Sequence, residues 1–174
     1  MAPSSLILVR HAQAGDAESF AATGLPDSLR PLTKKGRQRM REAAKGLRTM
    51  CEGNVVIYCS PYERARETAD ILAAEFATQV HGEFSLMTPE VSPKLMGAWL
   101  EEQPNQQETL LLVGHEPHLS GLAGWLLCGQ AGSWLRFRKG GALKLQWLSG
   151  DGSGQVQMQW LLTQSQLRAL TRTQ

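Results

Sequence analysis

The chain has 174 residues, of which 42% are hydrophobic, and this is enough to bury the core of one ordinary domain. The 18 Lys and Arg residues nearly balance the 16 Asp and Glu residues, so the net charge of +2 does not indicate a dedicated nucleic-acid-binding or membrane-surface protein. The apolar run from Leu6 to Val9 is too short for a signal-peptide core, and no stretch approaches the length of a membrane span. We therefore expect residues 1–174 to form a single domain in the cytoplasm.

The first half of the chain predicts two strands, each followed by a helix. Ser5 to Val9 has the pattern of a short buried strand, and residues 13–31 after it form a polar stretch. Thr33 is a suitable N-cap for the next helix. Val55 to Cys59 predicts a second strand. The Ser60-Pro61 pair then indicates a helix with serine as its cap, running to about Phe76.

The second half repeats this alternation. Phe84 to Met87 predicts a short strand, and Ser92-Pro93 begins a helix that extends to about Glu101. Thr109 to Val113 predicts the third strong strand, and a helix is expected from about His118 to Leu127.

The C-terminal part has a different pattern. Gly141 to Leu148 and Gln155 to Leu162 predict a hairpin across the glycine-rich residues 149–154. Strands that alternate with helices elsewhere predict a mostly parallel sheet with helices on both faces. The expected fold class is thus α/β, a three-layer α/β/α sandwich whose C-terminal hairpin adds an antiparallel edge.

The cysteines and one basic run have structural explanations. Three cysteines without a C-x-x-C pair do not predict a disulfide framework or a cysteine zinc site. We expect them to be small buried side chains: Cys51, Cys59 and Cys128. A basic run lies on the helix that follows Thr33: Lys34, Lys35, Arg37, Arg39 and Arg41. A solvated helix face is the favoured interpretation, and docking of an acidic partner is the alternative.

Polar side chains follow each of the three strongest predicted strands. Arg10 and His11 end the first strand, Arg64 lies shortly after the second, and His115 follows the third. Because ligands of open parallel sheets bind outside the carboxyl ends of the strands, these four side chains are expected to meet. Two guanidinium groups and two imidazoles together predict a site for an anion, and phosphate in particular.

Two other chemistries do not fit the spacing. Cys59 and Arg64 resemble a cysteine-dependent phosphatase site, but four residues separate them where five are needed. His115 and His118 resemble a zinc-protease motif, but they are three positions apart with Pro117 between them, and that motif needs a spacing of four on a helix. The sequence therefore predicts no metal site and no cofactor.

Taken together, the motifs resemble those of the histidine phosphatase superfamily, which is also called phosphoglycerate mutase-like. Leu8-Val-Arg-His11 is similar to its Arg-His signature, although Ala12 replaces the commoner glycine. Ser60-Pro-Tyr-Glu-Arg64-Ala-Arg-Glu-Thr68-Ala69 and Val113-Gly-His115 resemble its second and third motifs. The short chain and the segment Asp27-Ser-Leu-Arg30-Pro-Leu-Thr33 are similar to the SixA-type phosphohistidine phosphatases.

The resemblance implies a catalytic set of His11, Arg10, Arg64 and His115. His11 would be the nucleophile and would form a phosphohistidine intermediate, while Arg10, Arg64 and His115 would bind the phosphoryl oxygens. The Arg-Pro-Leu-Thr match adds Arg30 as a phosphate contact. Glu116 and Glu90 are the candidates for a general acid, and a solvated loop charge is the alternative for both.

Three functions remain open from the sequence. The favoured one is removal of phosphate from phosphohistidine on a signalling or phosphocarrier protein, since an imidazole leaving group needs little help from an acid. The second is hydrolysis of small phosphate monoesters by the same nucleophile. The third is a non-catalytic module that binds phosphate or a phosphoprotein. The expected partner is accordingly a phosphorylated protein or a small phosphorylated metabolite, with no nucleic acid and no membrane.

Overall fold

The computed structural model describes residues 4–102, 108–132, 135–148 and 155–171. Within these residues, six strands form one sheet. In chain order the strands are β1 (Ser5–Arg10), β2 (Val55–Cys59), β3 (Val80–Glu83), β4 (Thr109–Gly114), β5 (Ala142–Trp147) and β6 (Val156–Leu162). Their order across the sheet is β3-β2-β4-β1-β5-β6.

Strands β1 to β4 are parallel, and the C-terminal hairpin is antiparallel. β4 lies between β1 and β2, with Val113 level with both Val9 and Cys59. β5 pairs antiparallel with β1 and with β6. The predicted mostly parallel sheet with an added antiparallel hairpin is confirmed, while residues 149–154, where the hairpin turn was predicted, lie outside the described residues.

Six α-helices are described around the sheet. They are α1 (Ala17–Ala21), α2 (Lys34–Thr49), α3 (Glu63–Phe76), α4 (Pro93–Glu102), α5 (His118–Cys128) and α6 (Gln164–Ala169). Thr33 caps α2 as predicted, because its hydroxyl accepts a hydrogen bond from the backbone N–H of Gly36 at 2.9 Å. In this part of the chain no helix is both long and apolar enough to cross a membrane.

The alternation of side chains along the central strands creates a core on each face of the sheet. On one face, Ile7 and Leu111 pack in a cluster with residues of α2, α3 and α6, such as Leu72 of α3. On the other face, Leu8 and Leu112 pack with residues of α4 and α5. Strands that are buried on both faces explain the continuous apolar runs in β1 and β4. The three layers agree with the predicted sandwich.

The structure corrects four details of the sequence prediction. Phe84 to Met87 is not a strand, since β3 ends at Glu83 and a single 3-10 turn follows at Ser85–Met87. Ser60 does not cap α3, because the helix begins at Glu63 with Tyr62 in the N-cap position. The short helices α1 and α6 were not predicted. Cys128 is exposed, whereas the other two cysteines are buried as expected.

Candidate active site

The ends of the three central strands bring the predicted residues together. The backbone N–H of His11 donates to the carbonyl of Gly114 at 3.0 Å, which joins the end of β1 to the end of β4. The N–H of Ser60 likewise donates to the carbonyl of Val113 at 2.9 Å, which joins β2 to β4. These two hydrogen bonds place the polar segments after β1, β2 and β4 at one edge of the sheet, as the sequence predicts.

Two imidazoles lie at the centre of this edge. The ring centroids of His11 and His115 are 5.1 Å apart, and both side chains are almost completely buried. His11 Nδ1 lies 2.7 Å from the carbonyl oxygen of Ala12. Because a carbonyl can only accept a hydrogen bond, Nδ1 carries the proton, and the lone pair of the neutral ring is on Nε2. His11 therefore has a nucleophilic nitrogen in a fixed orientation.

His115 is held by a different partner. Its Nε2 atom lies 2.8 Å from the hydroxyl of Ser60, and its ring packs edge-on against Tyr62 with the centroids 5.0 Å apart. Ser60 was assigned to a helix cap from the sequence, but its side chain instead orients this imidazole. The serine of the second motif thus contributes to the site through His115.

Both imidazoles are neutral at neutral pH. Burial lowers the pKa of His11 from 6.5 to about 3, and the positive charges of Arg64, Arg10 and Lys139 act in the same direction. Burial lowers the pKa of His115 to about 2, with His11 and Arg64 contributing to the decrease. Since only the neutral form of an imidazole has a free lone pair, the environment keeps His11 in the form that can attack phosphorus.

Arg64 is a buried cation with 5% of its side chain exposed. One guanidinium nitrogen donates to the backbone carbonyl of Asp27 at 2.9 Å, and another lies 3.1 Å from the Asp27 carboxylate. The guanidinium also lies over the ring of Tyr62, 4.9 Å from its centroid. These contacts hold the planar guanidinium group, which can donate two parallel hydrogen bonds, at the same edge of the sheet as the two imidazoles.

Arg10 is held by the segment that precedes β5 in the chain. Its Nη1 atom donates to the carbonyl of Phe137 at 2.7 Å, and its buried Nε has no hydrogen-bond partner in the described structure. A buried charged donor without a partner is unfavourable unless a ligand completes it. Arg10 therefore has hydrogen-bonding capacity that the described protein atoms do not use.

Thr68, which belongs to the second motif, connects the segment after β1 with α3. Its hydroxyl donates to the carbonyl of Arg64 at 2.7 Å and accepts from the backbone N–H of Ala12 at 3.1 Å. The residue after His11 is thereby fixed to α3, the helix that carries Arg64. Thr68 thus links the backbone beside the His11 imidazole to the helix that carries the Arg64 guanidinium.

The structure places Arg30 next to the site through Asp27, which the sequence analysis did not single out. Arg30 Nε lies 2.6 Å from the Asp27 carboxylate, and its Nη1 donates to the carbonyl of Gly15 at 2.7 Å. The Asp27 carboxylate thus bridges Arg30 and Arg64. Opposite charges three residues apart in Asp27-Ser-Leu-Arg30 were the available signal, but the contact with Arg64 depends on the tertiary fold.

Lys139 is a second residue that the sequence analysis missed. Partial desolvation lowers its pKa, as does the positive charge of Arg10, Arg30 and Arg64. The effect of all three arginines on one ammonium group indicates that the four cations share one strongly positive environment. The signal available in the sequence was the basic cluster Arg136-Phe-Arg138-Lys139 before Gly140, which is typical of an anion-binding segment.

The two candidate acids lie in different environments. The half-buried Glu116 carboxylate accepts hydrogen bonds from the backbone N–H and hydroxyl of Ser120 in α5, and burial raises its pKa. The exposed Glu90 accepts from the hydroxyl of Tyr62 at 2.7 Å, and this bond lowers its pKa. Glu116 is thus the carboxyl that more readily holds a proton, whereas Glu90 is ionised at neutral pH.

Cysteine chemistry does not fit this edge of the sheet. Burial raises the pKa of the Cys59 thiol to about 12, so it carries no thiolate at neutral pH. Among the described residues, no group of three or more His, Cys, Asp or Glu side chains is arranged to hold a metal ion.

Comparison with known proteins decides the family. Residues 6–87 match the family model of the histidine phosphatase superfamily, branch 1. An uncharacterized protein of Picosynechococcus sp. (strain ATCC 27264 / PCC 7002 / PR-6) is 34% identical over 153 residues, which cover 87% of this chain and 88% of that protein. The chain belongs to the histidine phosphatase superfamily.

Solved structures relate this superfamily member to the SixA-type branch. The protein histidine phosphatase SixA, determined with tungstate, superposes with a TM-score of 0.78 at 23% identity, covering 94% of this chain and 99% of that chain. The putative phosphohistidine phosphatase SixA of Nakamurella multipartita gives a TM-score of 0.68 at 26% identity, covering 91% and 95%. These similarities confirm the family and fold that the sequence motifs indicated.

Proposed function

We propose that the chain is a phosphatase that transfers a phosphoryl group to Nε2 of His11 and then to water. The observation that carries this proposal is the bond from His11 Nδ1–H to the Ala12 carbonyl in a buried, neutral imidazole. It fixes the tautomer in which Nε2 is the nucleophile. Superfamily membership supports phosphatase chemistry in general, and the role of each residue is inferred from the geometry.

In the first step, the Nε2 lone pair forms a bond to phosphorus while the bond to the leaving group breaks, and the leaving group takes that electron pair. An imidazole whose other ring nitrogen carries a proton departs as the neutral ring, whereas an ester oxygen must also take a proton from an acid. In the second step, a water oxygen attacks phosphorus and the N–P bond breaks, which returns the electron pair to Nε2 and gives inorganic phosphate. The reaction therefore follows a double displacement through a covalent intermediate.

The arginines and the neutral imidazole of His115 stabilise the negative charge of the transferring group. Arg64 and Arg10 supply guanidinium donors, His115 is oriented by Ser60, and Arg30 lies within the same ion-pair network. The tungstate bound to the SixA protein is a tetrahedral oxyanion, which is consistent with a phosphate-shaped site in a protein of this fold. The Asp27 carboxylate pairs with Arg30 and Arg64, whose N–H groups would bind the phosphoryl oxygens. Asp27 would therefore have to move away from them when the substrate binds.

We infer that the substrate is phosphohistidine on a protein. A phosphomonoester needs a proton for its alkoxide leaving group, but Glu90 is ionised and Glu116 is hydrogen-bonded to Ser120. The imidazole of phosphohistidine leaves readily with little help from an acid. The site therefore suits a phosphoramidate better than an ester.

Glu116 supports small phosphate monoesters as the alternative substrates. Burial raises the pKa of Glu116, and the positive charge of Arg10 acts in the opposite direction, which indicates that the two side chains are near each other. A rotation away from Ser120 would turn Glu116 into a proton donor beside the site. The same nucleophile would then serve a metabolic phosphatase.

The test compares hydrolysis of a histidine-phosphorylated carrier protein with hydrolysis of small phosphate monoesters, using His11→Ala as the inactive control. We expect a higher kcat/KM for the phosphoprotein and a loss of more than about a thousandfold in the variant. A preference for the esters that Glu116→Gln abolishes would favour the metabolic alternative. Full activity of His11→Ala would refute the proposed nucleophile.

A further inference from the structure

A groove of about 500 Å³ adjoins the candidate active site on the side of Arg10. Five cationic side chains line it: Arg10, Arg39, Arg136, Arg138 and Lys139. Two glutamines and one phenylalanine complete the lining, and no carboxylate is part of it. Because the whole chain carries a net charge of only +2, this groove concentrates positive charge at one place on the surface.

The segment before β5 forms one wall of the groove and is fixed to the candidate active site. Gly140 adopts a positive φ of 70°, and its N–H lies 3.0 Å from the carbonyl oxygen of Arg10 and 3.1 Å from that of His11. Phe137 is buried in the core, so the cations on either side of it, Arg136 and Arg138, are left exposed. The wall is therefore a built feature of the fold.

Helix α2 contributes Arg39 to the lining of the groove. Arg39 is half-buried there, next to Met40, which is completely buried in the core. It belongs to the basic run for which the sequence left a solvated face and an acidic partner as alternatives. Arg39 lines the groove, whereas Arg37 of the same basic run forms an ion pair with Glu67.

Four of the five groove cations have no ion-pair partner among the described residues. Within the described residues, Arg39, Arg136, Arg138 and Lys139 form no ion pair, whereas Arg30, Arg37, Arg64, Arg66 and Arg168 all do. The lowered pKa of Lys139 reflects in part repulsion from neighbouring arginines. Unpaired like charges held close together gain most from an anionic ligand.

We propose that this groove binds an acidic segment of a phosphorylated partner protein, beside the phosphorylated residue that reacts at His11. The proposal rests on the proposed function and adds a recognition surface to it. Arg10 lines the groove and directly precedes His11 at the end of β1, so carboxylates next to the phosphorylated residue would reach the groove while the phosphoryl group is in place. The exposed arginines suit a protein surface, since they remain accessible to a segment that lies across the groove.

The test uses two fluorescent peptides of equal length with a central phosphoryltriazolylalanine, a hydrolysis-resistant substitute for phosphohistidine. One has glutamate on both sides of this residue and the other has glutamine. By fluorescence anisotropy at about 50 mM salt, we expect the acidic peptide to bind at least about fivefold more tightly, and this advantage should shrink at about 300 mM. The double variant R136E/R138E should abolish the advantage.

A matched control changes the same charge elsewhere. R41E/K45E alters two exposed cations on α2 that lie outside the groove, beside Asp70 and Glu75, and it should retain the preference for the acidic peptide. Hydrolysis of para-nitrophenyl phosphate is measured in parallel, because this ester is too small to extend from the phosphate site to Arg136 and Arg138. R136E/R138E should leave that hydrolysis unchanged.

Equal binding of the two peptides, or a preference that survives in R136E/R138E, would overturn the groove proposal. Tighter binding of a single-stranded oligonucleotide than of the acidic peptide would overturn it too. Failure of the proposed function is a separate result, in which wild-type protein hydrolyses neither para-nitrophenyl phosphate nor a phosphohistidine protein. A preference for the acidic peptide would then still support the groove.

Discussion

At the scale of single residues, a few backbone contacts determine what the candidate site can do. The Ala12 carbonyl selects the tautomer of His11, and Thr68 fixes Ala12 to α3. Ser60 orients His115. The placement of His11, His115, Arg10 and Arg64 at one edge of the sheet could be predicted from the sequence, because each lies at or shortly after the end of a strand. Their partners could not, since these contacts join residues up to 127 positions apart.

Asp27 offers a direct test of the anion site. Its carboxylate bridges Arg30 and Arg64, so it competes with a bound phosphate for the same donors. Asp27→Asn should therefore bind orthovanadate more tightly, by about fivefold, as expected for removal of a partly exposed ion pair. Inhibition constants measured against a phosphatase substrate give the comparison.

The control for Asp27 is Glu18→Gln, which removes one negative charge from exposed α1 in the same polar stretch. Its inhibition constant should match that of the wild type. Weaker orthovanadate binding in Asp27→Asn would mean that the carboxylate positions Arg64 for the anion and does not compete with it.

At the scale of elements, patterning predicted the strands and helices that bury an apolar stripe and missed those that do not. The edge strand β3 consists of Val80-His-Gly-Glu83, with alternate residues exposed and little apolar character. Phe84 stacks on Tyr58 and contacts Trp99, and Met87 is completely buried in the same core, although the backbone at Ser85–Met87 forms a 3-10 turn. A short apolar segment therefore predicts that its side chains are buried, but it does not show whether its backbone forms a strand or a turn.

The contact between α2 and α6 gives a prediction about packing. A Cβ atom at Gly46 in α2 would overlap the backbone carbonyl of Leu167 in α6, so the two helices can touch only because this residue has no side chain. Gly46→Ala should lower the free energy of unfolding by about 1–3 kcal/mol, since relief of the overlap requires α6 to move. Urea denaturation measures the change.

The neighbouring substitution Lys45→Ala serves as the control, because Lys45 is exposed on the same helix. It should change the free energy of unfolding by less than about 0.5 kcal/mol. An unchanged or higher stability of Gly46→Ala would show that α6 adapts freely and does not depend on this close approach.

At the scale of the whole molecule, the fold holds uncharged histidines inside a positively charged site. This arrangement makes stability depend on pH. The pKa values of His11 and His115 fall from 6.5 in an unfolded chain to about 3 and about 2 in the fold, so the unfolded chain binds more protons below pH 6.5. Stability is then fully present above about pH 6.5 and decreases as the pH falls below it.

The free energy of unfolding should therefore be lower at about pH 5.5 than at pH 7.5, by up to about 1.4 kcal/mol per pH unit for each of the two histidines. His11→Gln combined with His115→Gln should remove the part of this decrease that these two residues cause, and the buried His118, whose pKa is also lowered by burial, should keep its own part. Replacing the exposed His81 with glutamine should preserve it. Stability that stays constant or increases between pH 7.5 and about 5.5 would contradict neutral, buried imidazoles.

The central claim is that His11 carries the phosphoryl group between substrate and water. The most direct measurement mixes the protein with a ³²P-phosphorylated substrate, stops the reaction with alkali within one turnover, and maps the label by peptide digestion and mass spectrometry. We predict an acid-labile, alkali-stable phosphoryl group on His11 that approaches one per chain and is absent from His11→Ala. Label on another residue, or turnover with no labelled protein at any time, would contradict the account.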